Sequence, residues 1–332
     1  MALSFPNPAF EEWLKPIKTL ESSGIWGELN ARYTGFERTL FGAETDAYLF
    51  GSGPDPRVAS WPLMRPVLPI AIVLFYLTTV PTLAWISKKY FSRQDGPLAT
   101  LWYTLHNGVI FFGSLYMAVG ALLTVTELWG ASTLPETVIF GASGKQVDRF
   151  DEDRTMGWSS DLQLRLARLG YLHFLLKILE MGDTYVIVAK QNWKQLSFLH
   201  VYHHASVLFP TWYFNTLYVP GGESWFCVFL NSTVHVFMYG YYFFCQVGLL
   251  DKKTTGKGFA RYLTVFQITQ FVLYLSQCHY LIVRHSDVYN PKIGVWQLAI
   301  QAAIFLVLFV NFFMHKYLGG SQESKELKKK EN

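Results

Sequence analysis

Long uncharged stretches are the dominant pattern along the chain. Six of them lack Asp, Glu, Lys and Arg and cover residues 66–86, 98–126, 196–219, 225–250, 262–283 and 295–314. A seventh stretch, 162–189, is apolar apart from five charged residues. About 20 residues of helix cross the hydrocarbon core of a bilayer, so each stretch is long enough to span it. The pattern predicts an all-α polytopic membrane protein with seven transmembrane helices, because buried helices of soluble proteins rarely stay uncharged over such lengths.

The distribution of Lys and Arg predicts how the helices are oriented. Alternate loops on one side, together with the C-terminus, carry fourteen Lys and Arg, whereas the short opposite loops 217–224 and 284–294 carry two. Cytosolic loops are enriched in these residues, so we expect a cytosolic C-terminus. The chain then divides into a lumenal segment (1–65), a membrane domain (66–318) and a cytosolic basic tail (319–332).

The last four residues suggest a location. Lys329 and Lys330, followed by Glu331 and Asn332, resemble the dilysine retrieval signal of endoplasmic-reticulum membrane proteins. A plain solvated basic tail is the alternative interpretation. We expect a multi-pass protein of the endoplasmic-reticulum membrane.

Composition agrees with a membrane protein. The 332 residues are 51% hydrophobic and only 16% charged, against about 25% charged in soluble domains. This excludes a disordered chain and a small disulfide scaffold. The net charge of +4 is too small to indicate nucleic-acid binding, so membrane lipid is the expected surrounding and no nucleic acid is expected as a partner.

The stretch 162–189 contains charges that lipid would reject. Lys177, Glu180 and Asp183 lie within eight residues of one another, and each charge near the bilayer centre costs about 2.5–3.5 kcal/mol. Thr184 shares a helical face with Lys177 and Glu180. These side chains therefore need polar partners on other helices, either as an ion pair that holds the bundle together or as part of a functional site.

The stretch 196–219 carries three histidines on one helical face. His200, His203 and His204 follow the spacing i, i+3, i+4. A single buried histidine is usually a hydrogen-bonded core residue, but three on one stripe indicate chemistry. Imidazole clusters either bind metal or act in nucleophilic and acid–base catalysis.

Two further stretches add polar stripes. Asn231, His235 and Tyr239 recur at intervals of four residues, and Gln267 and Gln270 share a face of the next stretch. Glutamine in a membrane helix often serves only to join helices. Because lipid rejects polar groups, we expect the stripes of all four helices to converge on a common interior that opens to the cytosol.

Taken in order, the polar residues form four motifs. They are K-x-x-E-x-x-D-T at 177–184, H-x-x-H-H at 200–204, N-x-x-x-H-x-x-M-Y at 231–239 and T-x-x-Q-x-x-Q at 264–270. With these motifs the chain resembles the fatty-acid elongases of the endoplasmic reticulum, the very-long-chain 3-oxoacyl-CoA synthases. The motifs lie within about 170–270, and the helix layout extends the resemblance over about 65–318.

The resemblance implies a function and an architecture. The family condenses a long-chain acyl-CoA with malonyl-CoA and releases 3-oxoacyl-CoA, CO2 and CoA. It implies that six helices form a ring around an acyl tunnel and that one helix lies outside. No metal and no cofactor beyond the two substrates are implied. The expected partners are a second copy of the chain and the 3-oxoacyl-CoA reductase, dehydratase and enoyl reductase of the elongation cycle.

The resemblance also implies roles for individual residues. His203 is the expected nucleophile, which forms a covalent acyl-imidazole, and His235 would face it as partner or as oxyanion or proton donor. Which of the two carries the acyl group stays open. His200 and His204 would orient and tune them. The polar surround, or the site of the CoA arm, would comprise Lys177, Glu180, Asp183, Thr184, Asn231, Tyr239, Gln267 and Gln270.

One feature bears on the substrate class. Gln195, five residues before the histidine motif, and the sequence H-V-Y-H-H at 200–204 resemble the branch of the family that acts on polyunsaturated acyl chains. We therefore expect polyunsaturated substrates.

Two other classes of protein remain as alternatives. An iron-dependent membrane desaturase or hydroxylase uses about eight histidines in several motifs, whereas this chain has nine histidines and one H-x-x-H-H. A seven-helix receptor or transporter fits the topology but explains neither the histidine stripe nor the charges at 177–183.

Overall fold

A computed structural model of the chain describes residues 63, 67–131, 160–217, 224–284 and 293–319. Within these ranges the chain consists of helices and short turns, without strands. The predictions for residues 1–62, for most of the loop between the second and third helices and for the dilysine tail fall outside the described residues.

The helices occur where the uncharged stretches predict them. They are α1 (Val67–Tyr90), α2 (Pro97–Ala131), α3 (Ser160–Glu180), α4 (Gly182–Ala189), α5 (Phe198–Leu217), α6 (Ser224–Gln246), α7 (Lys252–Arg284) and α8 (Ile293–Phe313), which continues as a π-helix, Met314–Gly319. The fold is all-α, as predicted.

Two boundaries differ from the expectation. The stretch 162–189 is divided at Met181, which lies between α3 and α4. The basic residues around Lys253, expected in a loop, belong to the first turns of α7. That helix begins early because the side chain of Asp251 accepts a hydrogen bond of 2.9 Å from the backbone N–H of Lys253, which caps the helix start.

Six helices pack in a definite order. Neighbouring pairs are α2 with α6, α6 with α7, α7 with α8, α8 with α5, α5 with α3, and α3 with α2, and α3 also packs directly on α6. The remaining long helix, α1, packs on α5 and α4. The Gln191 side chain donates hydrogen bonds to the carbonyls of Ser87 and Phe91, which fastens the end of α1 to the turn after α4.

The distribution of apolar surface is that of a membrane protein. Among the described residues, three segments are long and apolar enough to cross a bilayer: Val67–Tyr90, Pro97–Thr124 and Val295–Leu318. Large apolar side chains on them are exposed, such as Phe75 at 66% and Val307 at 68%, whereas Glu180 is buried. The other helices carry the polar stripes, which lower their hydropathy, and the count of seven crossings stays a prediction.

Candidate active site

An ionic cluster joins α3 to α6. The Lys177 ammonium donates hydrogen bonds to both carboxylate oxygens of Glu180, at 2.8 and 2.9 Å, and to the amide oxygen of Asn231. His235 Nδ1 lies 3.0 Å from Glu180 Oε1. Lys177, Glu180 and His235 are buried. Buried charges persist only when they are paired and hydrogen-bonded, and this cluster meets that condition.

A second cluster centres on the Asp183 carboxylate. One oxygen accepts a hydrogen bond from the hydroxyl of Tyr239, and the other lies 2.8 Å from His106 Nε2. The contact requires a glycine beside Asp183, because a Cβ on Gly182 would lie 2.6 Å from His106 Cε1. The cluster therefore joins α2, α4 and α6 through one carboxylate.

A third set of contacts links α1 to the histidine motif. The Thr184 hydroxyl is completely buried and lies 2.7 Å from the Tyr76 hydroxyl and 2.9 Å from His200 Nε2. These hydrogen bonds fix the ring of His200 from the turn that follows Met181. The first residue of the histidine motif is thus held by α1 and α4.

A cavity of about 110 Å³ lies beside the second histidine of the motif. His203 lines this cavity, and the centroid of its ring lies 4.9 Å from that of Phe305. Lys177 and Asn231 line it as well, so the ionic cluster borders the cavity. Along α8 the wall runs from Val295 to Phe305, about 15 Å of helix.

The rest of the cavity wall is mainly apolar. Its apolar lining residues include Val207, Phe271, Leu281, Leu298 and Ala302. Thr211, Gln277 and Gln301 add polar side chains to this wall. A mainly apolar space with a few polar groups in its wall is the usual form of a ligand site. The wall draws on α3, α5, α6, α7 and α8, so only the folded bundle creates it.

Comparison with known proteins identifies the family. The profile of the ELO (GNS1/SUR4) family matches residues 61–325. The chain belongs to the GNS1/SUR4 family. The resemblance drawn from the four motifs is therefore confirmed at the level of the family.

Individual relatives of this GNS1/SUR4 protein carry elongase names. It is 30% identical to very long chain fatty acid elongase 4 of Mus musculus over 265 residues, which is 79% of this chain and 76% of the relative. Very long chain fatty acid elongase 2 of Mus musculus is 29% identical over 294 residues, 88% of this chain and 90% of the relative. Fatty acid elongase 6 of Leishmania major is 32% identical over 232 residues, 67% of this chain and 52% of the relative.

The structure brings most of the predicted residues of the GNS1/SUR4 motifs together. Those that share hydrogen bonds or close contacts, or line the cavity, are Lys177, Glu180, Asp183, Thr184, His200, His203, Asn231, His235, Tyr239 and Gln270. His204 is buried and packs edge-on against His200, with the ring centroids 4.6 Å apart.

Other predicted residues lie apart from the cavity wall. Gln267 is half-buried and is not among the residues that line the cavity, and Gln195 is exposed in the turn before α5. The rings of His203 and His235 belong to different groups: His203 contacts His204, Phe305 and Phe309, whereas His235 contacts Tyr239. The two groups meet at the cavity through Lys177 and Asn231.

Three further side chains join the site that the sequence did not single out. Tyr76 and His106 contact Thr184 and Asp183, and His173 lines the cavity. His173 could have been found, because it precedes Lys177 by four residues and so extends the polar stripe of α3. The other two lie alone in apolar stretches, where the sequence carries no such signal.

Proposed function

We propose that this GNS1/SUR4 protein is a condensing enzyme of fatty-acid elongation. It joins a long-chain acyl-CoA to malonyl-CoA and yields 3-oxoacyl-CoA, CO2 and CoA. One observation carries the proposal: a histidine of the H-x-x-H-H motif borders a cavity whose wall is otherwise mainly apolar and extends away from it along α8. Membership of the family and the elongase names of relatives support the same activity.

The first step transfers the acyl group to His203. The unprotonated ring nitrogen attacks the thioester carbonyl, the carbon–sulfur bond breaks, and the thiolate leaves as CoA with the proton that the imidazole loses. The product is an acyl-imidazole whose hydrocarbon chain lies in the apolar part of the cavity. Imidazole suits this role because it is both a nucleophile and a good leaving group near neutral pH.

The second step forms the carbon–carbon bond. Malonyl-CoA loses CO2, and the electron pair of the broken bond becomes the enolate of the remaining two-carbon thioester. The enolate carbon attacks the acyl carbonyl, the bond to the imidazole breaks, and 3-oxoacyl-CoA is released. The imidazole regains a proton, whose source we assign to the cluster of His235, Glu180 and Lys177, which borders the cavity through Lys177. Decarboxylation supplies the enolate, so the step needs no strong base.

The motif residues around the cavity have supporting roles in this proposal. Glu180 and Asn231 hold the Lys177 ammonium in place. His200 and His204, which share a face of α5 with His203, orient the His203 ring. Dry surroundings strengthen every hydrogen bond directed at developing charge. The burial of these groups is therefore an advantage for the reaction.

The nucleophile is tested by His203→Ala in purified protein supplied with acyl-CoA and labelled malonyl-CoA. We expect formation of labelled 3-oxoacyl-CoA to fall by at least about 10³-fold, as for removal of other enzyme nucleophiles. His315→Ala is the matched control, because His315 is exposed in the π-helix and its loss should leave activity unchanged.

The covalent intermediate has its own measurement. Wild-type protein incubated with acyl-CoA alone should carry one acyl group on the peptide that contains position 203, detected by mass spectrometry and removed by hydroxylamine. An acyl group mapped to His235, or retained in the His203→Ala variant, would contradict the assignment. An inactive wild-type protein across a full acyl-CoA panel would contradict condensation itself.

We further propose that polyunsaturated acyl chains are the preferred substrates. The support is the resemblance of Gln195 and of the sequence H-V-Y-H-H to one branch of the family. Gln195 is exposed and apart from the cavity wall. It therefore indicates the branch of the family without contacting the acyl chain. Competition between saturated and polyunsaturated acyl-CoA of equal length tests this preference, and equal turnover of the two would refute it.

The setting of the enzyme follows from its product. A 3-oxoacyl-CoA must be reduced, dehydrated and reduced again before another cycle, so we propose that a 3-oxoacyl-CoA reductase, a dehydratase and an enoyl reductase act beside it. We propose the endoplasmic-reticulum membrane as the location and a homodimer as the assembly. Acyl-CoA and malonyl-CoA reach the site from the cytosolic side.

A further inference from the structure

His173 occupies a position in the site that the four motifs do not explain. It lies one helical turn before Lys177, about 6 Å along α3, and lines the same cavity as His203. Its side chain is 7% exposed. Its Nδ1 atom is buried and has no hydrogen-bond partner within the described part of the chain.

The cavity wall contains two more polar atoms of this kind. His203 Nδ1 and Gln270 Oε1 are likewise buried without a hydrogen-bond partner among the described residues. Each unsatisfied buried group costs about 1–3 kcal/mol, and such groups are uncommon in folded proteins. Three of them, from three helices, around one cavity indicate that a polar group of a ligand belongs there.

The chemistry of the ligand identifies that polar group. An acyl chain is apolar along its length and polar only at its carbonyl end. Where His203 holds the acyl group, the carbonyl lies beside that ring and therefore at the polar part of the wall. Lys177 is the nearest cation on α3, but its hydrogen bonds are directed to Glu180 and Asn231. His204 Nδ1 also lacks a partner among the described residues, but His204 does not line the cavity, whereas His173 does.

We infer that His173 is a further catalytic residue, whose imidazole N–H donates a hydrogen bond to the carbonyl oxygen of the acyl group on His203. This inference rests on the proposed condensation. When the enolate carbon attacks, the carbonyl electron pair moves onto that oxygen, which becomes negatively charged, and the hydrogen bond strengthens. The pair then returns to re-form the carbonyl as the bond to His203 breaks. His173 keeps its proton throughout.

The first test compares His173→Phe, which keeps a flat ring without a donor, with His173→Gln, which keeps an N–H. Loss of one donor to an oxyanion costs about 10²–10³ in kcat. We expect that loss for His173→Phe, with the KM for acyl-CoA within about threefold of wild type, and recovery of at least about tenfold for His173→Gln. His279→Phe, a change at an exposed position of α7, is the matched control.

A second test measures the hydrogen bond first in the wild-type protein, where the result does not depend on how the variants fold. Infrared difference spectra of the acyl-enzyme formed with a carbonyl-labelled acyl-CoA report the carbonyl stretch. We expect a frequency lower than that of an acyl-imidazole in an apolar solvent, and a rise towards that value in His173→Phe.

Several outcomes overturn the inference while leaving condensation standing. They are a wild-type frequency equal to that of the free acyl-imidazole, a His173→Phe protein with wild-type kcat, and a His173→Phe protein changed only in KM. A wild-type protein that forms neither acyl-enzyme nor product instead overturns the proposed function.

Discussion

At the scale of single residues, the site depends on charges that would be costly by themselves. Glu180 is 1% exposed and Lys177 3% exposed, so either charge without its partner would destabilise the bundle by about 3–5 kcal/mol. Asn231 on α6 accepts a hydrogen bond from Lys177, and His235 Nδ1 on the same helix lies 3.0 Å from Glu180 Oε1. The cluster therefore ties α3 to α6 as well as lining the cavity, and either helix alone would be unfavourable in lipid.

Gly182 provides a testable prediction at the scale of single residues. A Cβ at this position would lie 2.6 Å from His106 Cε1, so Gly182→Ala should push the His106 ring away from Asp183. Because small misplacements in a site reduce catalysis strongly, we expect elongation activity to fall by about tenfold or more. The measurement is labelled malonyl-CoA incorporation, with the folded fraction checked by size-exclusion chromatography in detergent.

Gly258→Ala is the control for this prediction. A Cβ on Gly258 meets nothing within 4 Å, and alanine is favoured over glycine in a helix by about 1 kcal/mol, so activity should be unchanged. Wild-type activity in Gly182→Ala would mean that the contact between His106 and Asp183 is dispensable.

At the scale of the helix, a side chain of α8 replaces a backbone hydrogen bond that a proline removes from α5. Pro210 has no backbone N–H, so the carbonyl of Ser206, four residues earlier, loses its helical partner. The side chain of Gln301 on α8 donates a hydrogen bond of 2.8 Å to that carbonyl. Ser206 is three residues from His203, and its hydroxyl reaches the His203 carbonyl at 3.4 Å. The hydrogen bond from Gln301 thus fixes the turn of α5 that follows His203 against α8.

A double-mutant cycle tests this compensation. Gln301→Leu leaves the Ser206 carbonyl without a partner, which costs about 1–3 kcal/mol. In a Pro210→Ala background, the restored backbone N–H at position 210 donates to the Ser206 carbonyl in place of Gln301. Gln301→Leu should then lower the stability of the protein clearly less. The melting temperature of each protein in detergent is the measurement, and the difference between the two effects is the coupling.

The same helix provides the control for the cycle. Gln297 lies one turn from Gln301 and faces the outer groove between α1, α5 and α8. Gln297→Leu should change stability by less than about 0.5 kcal/mol. Additive effects of Gln301→Leu and Pro210→Ala would refute the compensation.

At the scale of the whole molecule, large apolar side chains are exposed on the outer surface, whereas the charged groups of the site are buried. Exposed Leu, Phe and Val side chains cover α1, α2 and α8, while charged and imidazole groups lie between the helices. Apolar surface of this extent is stable only in lipid. Contacts of α3 with α2, α5 and α6, and of α6 with α7, give the polar groups their shared interior.

The orientation of the molecule yields the last prediction. Lys and Arg concentrate in alternate loops and in the C-terminal tail, so these should face the cytosol. A glycosylation acceptor site added after Asn332 should stay unmodified in microsomes, whereas one inserted in the loop 285–292 should be glycosylated. The reverse pattern would place the opening of the site on the lumenal side and contradict the proposed access of CoA substrates.

Much of this architecture was readable from the chain. Uncharged stretches placed the helices, since a membrane span must satisfy its backbone internally and exclude charge. The charged and imidazole groups inside those stretches identified α3, α5 and α6 as the helices of the site, because lipid would reject them. The break at Met181 and the early start of α7 at the Asp251 cap escaped prediction, because each depends on local backbone contacts that hydropathy does not register.

The sequence by itself determined which helices exist and which side chains need a sheltered polar interior. Only the tertiary structure decided the pairings: that Glu180 meets His235, that Asp183 lies between Tyr239 and His106, that Tyr76 reaches Thr184 and that His173 lines the cavity of His203. The physical reason is that periodicity shows which residues share a face of one helix. Which face of another helix lies opposite depends on how all the helices pack at once.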